Sequence, residues 1–246
     1  MTDAPKPIEA LARGLRVLEV LSRASGSMGN GQIARATGLP PSTVSRLTDS
    51  LVQLGYLRVD PDSGAYRLTP KNLRLGYPIL DNLPLGGRAE RALEALHSDT
   101  RMTAAIAIRD DLHMTFVSVA RSRRPGAVPL AVGGRLPLAT SAAGLAYLNS
   151  MPEPDRSRLA SRVRRDLGRR GLSPKALDEH LVHSADEAVV SLGNWNQSFG
   201  GIARTFIAGG ELYSMAISAR VDELEIPGTI ESATTALNDA IAAVTD

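Results

Sequence analysis

From Asn30 to Leu68 the chain alternates helical spacing, a helix-breaking Gly38-Leu39-Pro40 and a strand-rich tail, an order that few folds accept. Gly31 to Thr37 reads as a short helix that Asn30 can cap, and the Gly-Leu-Pro break then turns the chain. A second helix begins at Pro41, where a missing N–H is tolerated, with Val44, Leu47, Leu51 and Leu54 on one face at three-and-four spacing. Gly55 ends it. Tyr56 to Val59 and Ala65 to Leu68 flank the turn sequence Asp60-Pro61-Asp62-Ser63-Gly64 and predict a hairpin. Upstream, Ile8 to Arg23 supplies a supporting helix with Leu11, Leu15, Leu18 and Leu21 on one stripe. Helix, short helix, turn, helix and hairpin make a winged helix-turn-helix, an arrangement that reads double-stranded DNA.

The outward face of the second helix carries Ser42, Ser45, Arg46, Asp49 and Gln53, with Thr43 at its margin. Hydroxyls and helix N-terminal N–H groups hold phosphates, and Arg46 is long enough to reach guanine O6 and N7. Gln32 on the short helix, Arg13 and Arg16 on the supporting helix, and Arg58 or Arg67 on the wing are the other DNA candidates. The plain alternative is an amphipathic helix of an unrelated domain whose polar face is simply solvated.

The 246 residues suffice for one small and one medium domain, and 43% hydrophobic content suits a folded chain. Without Cys there is no disulfide, thiolate nucleophile or cysteine metal site, which fits a reducing cytoplasm. No apolar run has membrane-spanning length, and Met1 to Pro7 lacks the apolar core of a secretion signal, so no membrane partner is expected. A net charge of +2 is too small to argue nucleic-acid binding, but residues 1–78 carry +4 and the remainder −2. Positive charge therefore concentrates on the reading head.

A connector spans Thr69 to Asp81. Thr69-Pro70 starts a helix through Lys71, Leu73, Arg74 and Leu75, and Pro78 and Pro84 interrupt it. The expected domains are 1–78, the winged helix-turn-helix, and 79–246. Within the latter, Arg88 to Thr100 reads as a helix with Leu93 and Leu96 inward. Thr103 to Ile108 and Met114 to Ala120 read as strands around Asp110-Asp111, with a third strand through Val128 to Val132. Ser141 to Ser150, Glu153 to Leu167 and Pro174 to Ala188 read as helices. Ile202 to Phe206 and Tyr213 to Ala219 pair around Ala208-Gly209-Gly210, and Thr229 to Val244 closes the chain as a helix. The fold class is α+β.

Three constellations in this half can carry chemistry. Thr140 and Ser141 lead into a helix start at Ala142 and Ala143, whose free N–H groups and dipole suit a carboxylate; an ordinary Ser141 cap explains the same residues. The single Trp of the chain, Trp195, lies between Asn194 and Asn196 in a polar loop from Ser191 to Gly201, either as a ligand wall or as a buried pin. Ser218 and Arg220 share a strand face; Arg220 can pair with a ligand carboxylate or with Glu223. His180 and His183 stand at i and i+3 among Asp178, Glu179, Asp186 and Glu187, yet lack a third ligand at fitting spacing, so no metal is expected. Seven arginines between Arg156 and Arg170 suggest a solvated helix, an intersubunit surface or a second nucleic-acid patch. The chain has no Gly-x-Ser-x-Gly, Walker loop, Gly-x-Gly-x-x-Gly or His-Glu-x-x-His, so no enzyme and no cofactor are expected.

Arg13-Gly14-Leu15-Arg16-Val17-Leu18-Glu19, Ile33-Ala34, Gly38-Leu39-Pro40, Ser42-Thr43-Val44-Ser45-Arg46-Leu47, Gly55-Tyr56-Leu57 and Tyr66-Arg67-Leu68 together resemble the IclR-type bacterial transcriptional regulators. The resemblance continues through the run Gly133 to Gly144, Gly201-Ile202-Ala203 and Ala216-Ile217-Ser218, so it covers nearly the whole chain. It implies a GAF-like α/β effector-binding and oligomerisation domain, a homodimer or dimer of dimers on operator DNA, and a small carboxylate seated at the backbone of Ala142 and Ala143. It also makes the Ser218–Arg220 strand part of the pocket. The family often has acidic residues in the Ser191–Gly201 loop and Lys where Leu145 stands. Those departures imply an effector preference of this chain's own, and Trp195 points to aromatic acids. The competing class is an architectural or antitoxin-like DNA binder without a ligand, which would have little use for so long a second domain.

Overall fold

The computed structural model describes residues 7–24, 26–181 and 187–245, and divides into two compact bodies, one ending at Asn82 and one beginning at Leu83. In the first, α1 (Glu9–Ser22), α2 (Asn30–Thr37) and α3 (Pro41–Gln53) precede a hairpin of β1 (Leu57–Val59) and β2 (Tyr66–Leu68). Gly38, at φ 70°, makes the left-handed exit from α2 and closes its N–H onto the Ala34 carbonyl at 2.9 Å. Pro41 opens α3 in the first turn, as its missing N–H allows. Met28 and Tyr66 exchange both backbone hydrogen bonds, at 3.0 and 2.9 Å, which ties the loop before α2 to the wing. Val17, Leu21, Ile33, Ala34, Val44, Leu51 and Leu57 form the core.

Three local expectations change here. Gly29, not Asn30, takes the cap position of α2; Gln32 Oε1 accepts the Gly29 N–H at 2.8 Å, and the Asn30 amide donates to Ser45 Oγ at 2.7 Å. Leu11 and Leu15 are 61% and 50% exposed because only the C-terminal half of α1, at Val17 and Leu21, reaches the core, and Leu54 lies outside it at the end of α3. Pro78 does not interrupt the connector helix. After a 3-10 turn at Pro70–Asn72, α4 (Leu73–Asp81) runs through that proline, which removes one backbone N–H close to the helix end. Thr69 Oγ1 donates to the Gly55 carbonyl, and Lys71 Nζ donates to the Leu54 carbonyl at 2.8 Å while lying 4.8 Å from the Tyr56 ring centre. The connector start is thus fastened to the end of α3. Beyond it α4 buries nothing, and Leu73, Leu75, Tyr77 and Ile79 are all exposed.

The second body runs α5 (Gly86–Thr100), β3 (Thr103–Asp110), β4 (His113–Ala120), β5 (Arg135–Pro137), α6 (Ala142–Ser150), α7 (Asp155–Arg169), α8 (Lys175–His180), β6 (Val189–Asn196), β7 (Phe199–Ala208), β8 (Glu211–Arg220), α9 (Val221–Leu224) and α10 (Thr229–Thr245). Its six strands form one antiparallel sheet in the order β5-β4-β3-β8-β7-β6. Alternation sends Ala104 and Ile106 of β3 to one face, with α5 and α10, and Ala105 and Ala107 to the other, with α6. That second face is paved with small residues, Ala105, Ala107, Ala203 and Ala216, so α6 lies close against it. Mixed α+β architecture with a winged-helix head is what the sequence predicts.

Val128 to Val132 is not a strand. Pro125 precedes it and Pro129 lies within it, Arg121 captures the Leu130 carbonyl, and β5 forms later, at Arg135. The predicted polar loop from Ser191 to Gly201 is instead the β6–β7 hairpin, turning at Gln197 and Ser198. Gly193, at φ 69°, lies in a register shift between Leu192 and Asn196, so a bulge on an edge strand explains the polar, glycine-bearing composition that mimics a loop. The helix expected over Pro174 to Ala188 ends at His180; Glu187 and Ala188 are not helical, and His183 and Asp186 lie outside the described residues.

Candidate DNA-reading face and effector seat

The N-terminus of α3 has no side-chain cap, so the backbone N–H groups of Ser42 and Thr43 remain open beside their own hydroxyls. Ser42 and Arg46 are exposed and Thr43 is half-buried. Among the described residues Arg46 makes no ion pair. The other candidates are already engaged. Ser45 accepts the Asn30 amide and so sets α2 against α3; Gln32 closes the start of α2; Arg13 pairs with Glu9 one turn earlier. On the wing Arg67 pairs with Asp60 at 3.0 Å, whereas Arg58, opposite it in register, is exposed and unpaired among the described residues. The hydroxyl and N–H of Ser63, together with Arg67, hold the Asp60 carboxyl below the usual carboxylate range. Arg58 is therefore the wing's available cation.

In the second body Ser141 caps α6: its Oγ accepts the Gly144 N–H at 3.1 Å and donates to the Pro137 carbonyl at 2.7 Å. This leaves the N–H groups of Ala142 and Ala143 as first-turn donors that a helix cannot satisfy from within. Both residues are buried. Gly144 permits the arrangement, since a Cβ there would lie 2.4 Å from the Leu138 carbonyl oxygen. Gly201 does the same from the sheet: a Cβ on it would meet Ser218 Oγ at 3.3 Å and Ala142 Cβ at 3.6 Å. Ser218 thus stands at the start of α6, 7% exposed, its hydroxyl without a hydrogen bond among the described residues.

The structure brings Thr140 and Asn194 to the same place through a residue absent from the sequence candidates. Ser191 Oγ donates to the Thr140 carbonyl at 2.9 Å and accepts the Asn194 amide at 3.0 Å. Ser214 adds a bond to the Ala143 carbonyl at 2.8 Å; its period-two spacing from Ala216 and Ser218 was the available signal. Trp195 is half-buried and stacks on Phe199 across the hairpin at 5.9 Å, both rings bordering the core that contains Ala142 and Ala143. Arg220 stands apart. It is exposed and grips Asp222, not Glu223, through Nε and Nη2, both at 2.9 Å, which pushes its pKa further up. The cleft that Ser218 and Arg220 share with Thr103, Ser122 and Arg124 has a free volume of about 20 Å³, room for one water-sized body.

Among the described residues no helix is long and apolar enough to cross a membrane, and no three His, Asp or Glu side chains gather as metal ligands.

A winged-helix head with an open helix start, followed by a six-stranded α/β body, defines a DNA-binding transcription regulator. The IclR helix-turn-helix domain matches residues 10–61, and the bacterial transcriptional regulator IclR C-terminal domain matches residues 78–190. The chain belongs to the IclR family. It is 34% identical over 202 residues to the HTH-type transcriptional regulator TsaQ1/TsaQ2 of Comamonas testosteroni, across 80% of this chain and 72% of that one. It is 29% identical to the Pca regulon regulatory protein of Pseudomonas putida, across 75% and 60%. Among solved structures, an IclR family transcriptional regulator from Brucella abortus superposes with TM-score 0.75 at 30% identity, covering 100% of this chain and 95% of that one. An IclR homologue from Microbacterium hydrocarbonoxydans, complexed with 4-hydroxybenzoate, shares the fold at TM-score 0.69 and 22% identity over 96% and 99%.

Proposed function

We propose that this chain is a ligand-responsive regulator in the cytoplasm, binding operator DNA through α3 and a small organic acid at the start of α6. The observation that carries the ligand half is the meeting of buried N–H donors at Ala142 and Ala143 with the unpartnered hydroxyl of Ser218. A carboxylate taken out of water needs such partners, because an unpaired buried charge costs several kcal/mol. Thr140, Ser141, Ser191 and Asn194 complete the polar side, and Trp195 supplies an aromatic wall. Arg220 contributes only if it leaves Asp222. Ser42, Thr43 and Arg46 face the DNA directly, Arg58 and Arg67 serve the wing, and Arg13, Gln32 and Ser45 position the helices. The function is regulation, not catalysis.

The working form is a homodimer or a dimer of dimers, since one recognition helix covers only a few base pairs. The exposed apolar side chains of α1 and α4 support that assembly. Acid binding then shifts the population between placements of the paired reading heads.

The test is a thermal-shift panel of organic acids that includes 4-hydroxybenzoate, followed by calorimetry and Trp195 fluorescence with the best binder. Ser218→Ala weakens the affinity by about 1 kcal/mol, the usual net value of one hydrogen bond. Unchanged affinity together with unchanged fluorescence removes the seat from α6.

A further inference from the structure

A larger cleft in the second body lies where α5 ends and β4 runs into the loop after it. Glu94, His97, Arg101 and the run from Val119 to Arg124 line an open space of about 920 Å³, within the size range of small-molecule sites. Four of these residues, Arg101, Arg121, Arg123 and Arg124, are exposed arginines, and Glu94 is the only carboxylate among the described residues of the lining.

Most arginines of α7 contrast with the cluster, although Arg88, Arg91, Arg109, Arg165 and Arg204 of the same body also lack a carboxylate partner among the described residues. On α7, Arg156, Arg158, Arg162, Arg164, Arg169 and Arg170 each have a carboxylate within 3.5 Å. None of the four cleft arginines has one among the described residues. Parts of the cluster are nonetheless held. Arg121 donates from Nε and Nη2 to the Leu130 carbonyl, at 2.9 and 2.6 Å, which fixes its guanidinium and leaves Nη1 free. Buried Ser122 donates its N–H to Thr103 Oγ1 at 3.3 Å and accepts the Arg124 N–H at 3.5 Å, anchoring the loop to the sheet. Arg101 is the C-cap of α5, where the negative end of the helix dipole favours a cation. That accounts for Arg101 but not for Arg121, Arg123 or Arg124.

We propose that this cleft binds a small organic phosphate, a diphosphate or phosphate ester bearing at least two negative charges, as a second ligand independent of the acid at α6. Four arginines line one space, and the forks of Arg101, Arg123 and Arg124 together with the free Nη1 of Arg121 offer several N–H donors for phosphate oxygens, most of which a single carboxylate would leave unused. Val119 and Ala120 are the only apolar residues among the described lining, so little there would receive a ring. The concave shape fits a small ligand better than the convex backbone of duplex DNA.

Titration calorimetry of the full chain with inorganic pyrophosphate, citrate and benzoate tests this, in about 150 mM chloride so that distant charges are screened. Pyrophosphate binds saturably to the wild type, and Arg123→Ala/Arg124→Ala weakens it at least tenfold while leaving the ligand-free melting temperature unchanged. Arg101→Ala, on a different element, weakens it as well. Absence of pyrophosphate binding, or equal affinity in the double variant, overturns the site. Tighter binding of citrate than of pyrophosphate overturns the phosphate assignment. Loss of random-sequence DNA binding in the double variant, with no pyrophosphate binding by the wild type, overturns the proposal in favour of a DNA-backbone contact. Benzoate binding unaffected by these substitutions keeps this outcome separate from that at α6.

Discussion

Two helix starts, those of α3 and α6, offer the same chemistry in opposite surroundings. At α3 the open N–H groups of Ser42 and Thr43 face outward beside exposed Arg46, and no side chain caps them. At α6 the donors of Ala142 and Ala143 are buried under the sheet, with Ser141 taking the third N–H and Gly144 pressed on Leu138. An anion at α3 stays partly in water and is held with help from many other phosphates, so affinity there falls steeply with salt. An anion at α6 gives up its hydration, so each donor counts for more and salt counts for less. On the proposed function, burial, not donor type, separates a surface for a polyanion from a seat for one small acid.

The sharpest contrast comes from glycine substitutions. Gly144→Ala forces a Cβ to within 2.4 Å of backbone, and the strain lowers stability by about 3 kcal/mol, the upper end of ordinary overpacking, in urea denaturation. Gly31→Ala in α2, where the nearest atom is the flexible Arg35 Nη1 at 3.8 Å, is neutral or stabilises by up to about 1 kcal/mol. Equal effects at the two positions would break the comparison.

Alkaline denaturation probes the buried body. Burial and a hydrogen bond to Glu211 push the Tyr213 phenol up to about 12. The native state keeps this proton after the unfolded chain has lost it near pH 10, so the stabilisation is complete below that pH and drains away as pH rises toward 12. The loss is of order 3 kcal/mol at most, at about 1.4 kcal/mol per pKa unit. It is read as the difference between wild type and Tyr213→Phe, which lacks the titrating group; parallel pH curves for the two proteins contradict it.

On the exposed side, Arg46→Ala weakens binding to a site selected from random oligonucleotides by about 1 to 3 kcal/mol, with little effect on non-specific DNA or on the fold. Equal losses on both DNAs turn Arg46 into a phosphate contact.

The head was largely legible in the sequence because its signals are local. Gly38, Pro41 and the Asp60–Gly64 turn each fix a backbone conformation without reference to anything distant. The proposed ligand seat was only half legible. Ser141 announced a cap and Ala142 and Ala143 a helix start, but Ser191 came from a strand that its polar, glycine-bearing composition disguised as a loop. The partner of Arg220 was one residue from the one expected, since a turn into α9, not strand period, places Asp222 beside it. Exposure of Leu11 and Leu15 was illegible for a similar reason: helical spacing marks an apolar face without saying how far the packed body extends along it.

The central claim couples the two helix starts. Operator affinity measured by anisotropy, with and without saturating amounts of the tightest acid from the panel, tests it directly in wild type and Ser218→Ala. In the wild type the acid changes operator Kd by at least about fivefold, the lower end of ordinary allosteric coupling, and in Ser218→Ala that change needs a higher acid concentration. An acid that binds the wild type tightly and leaves operator Kd unchanged contradicts the account.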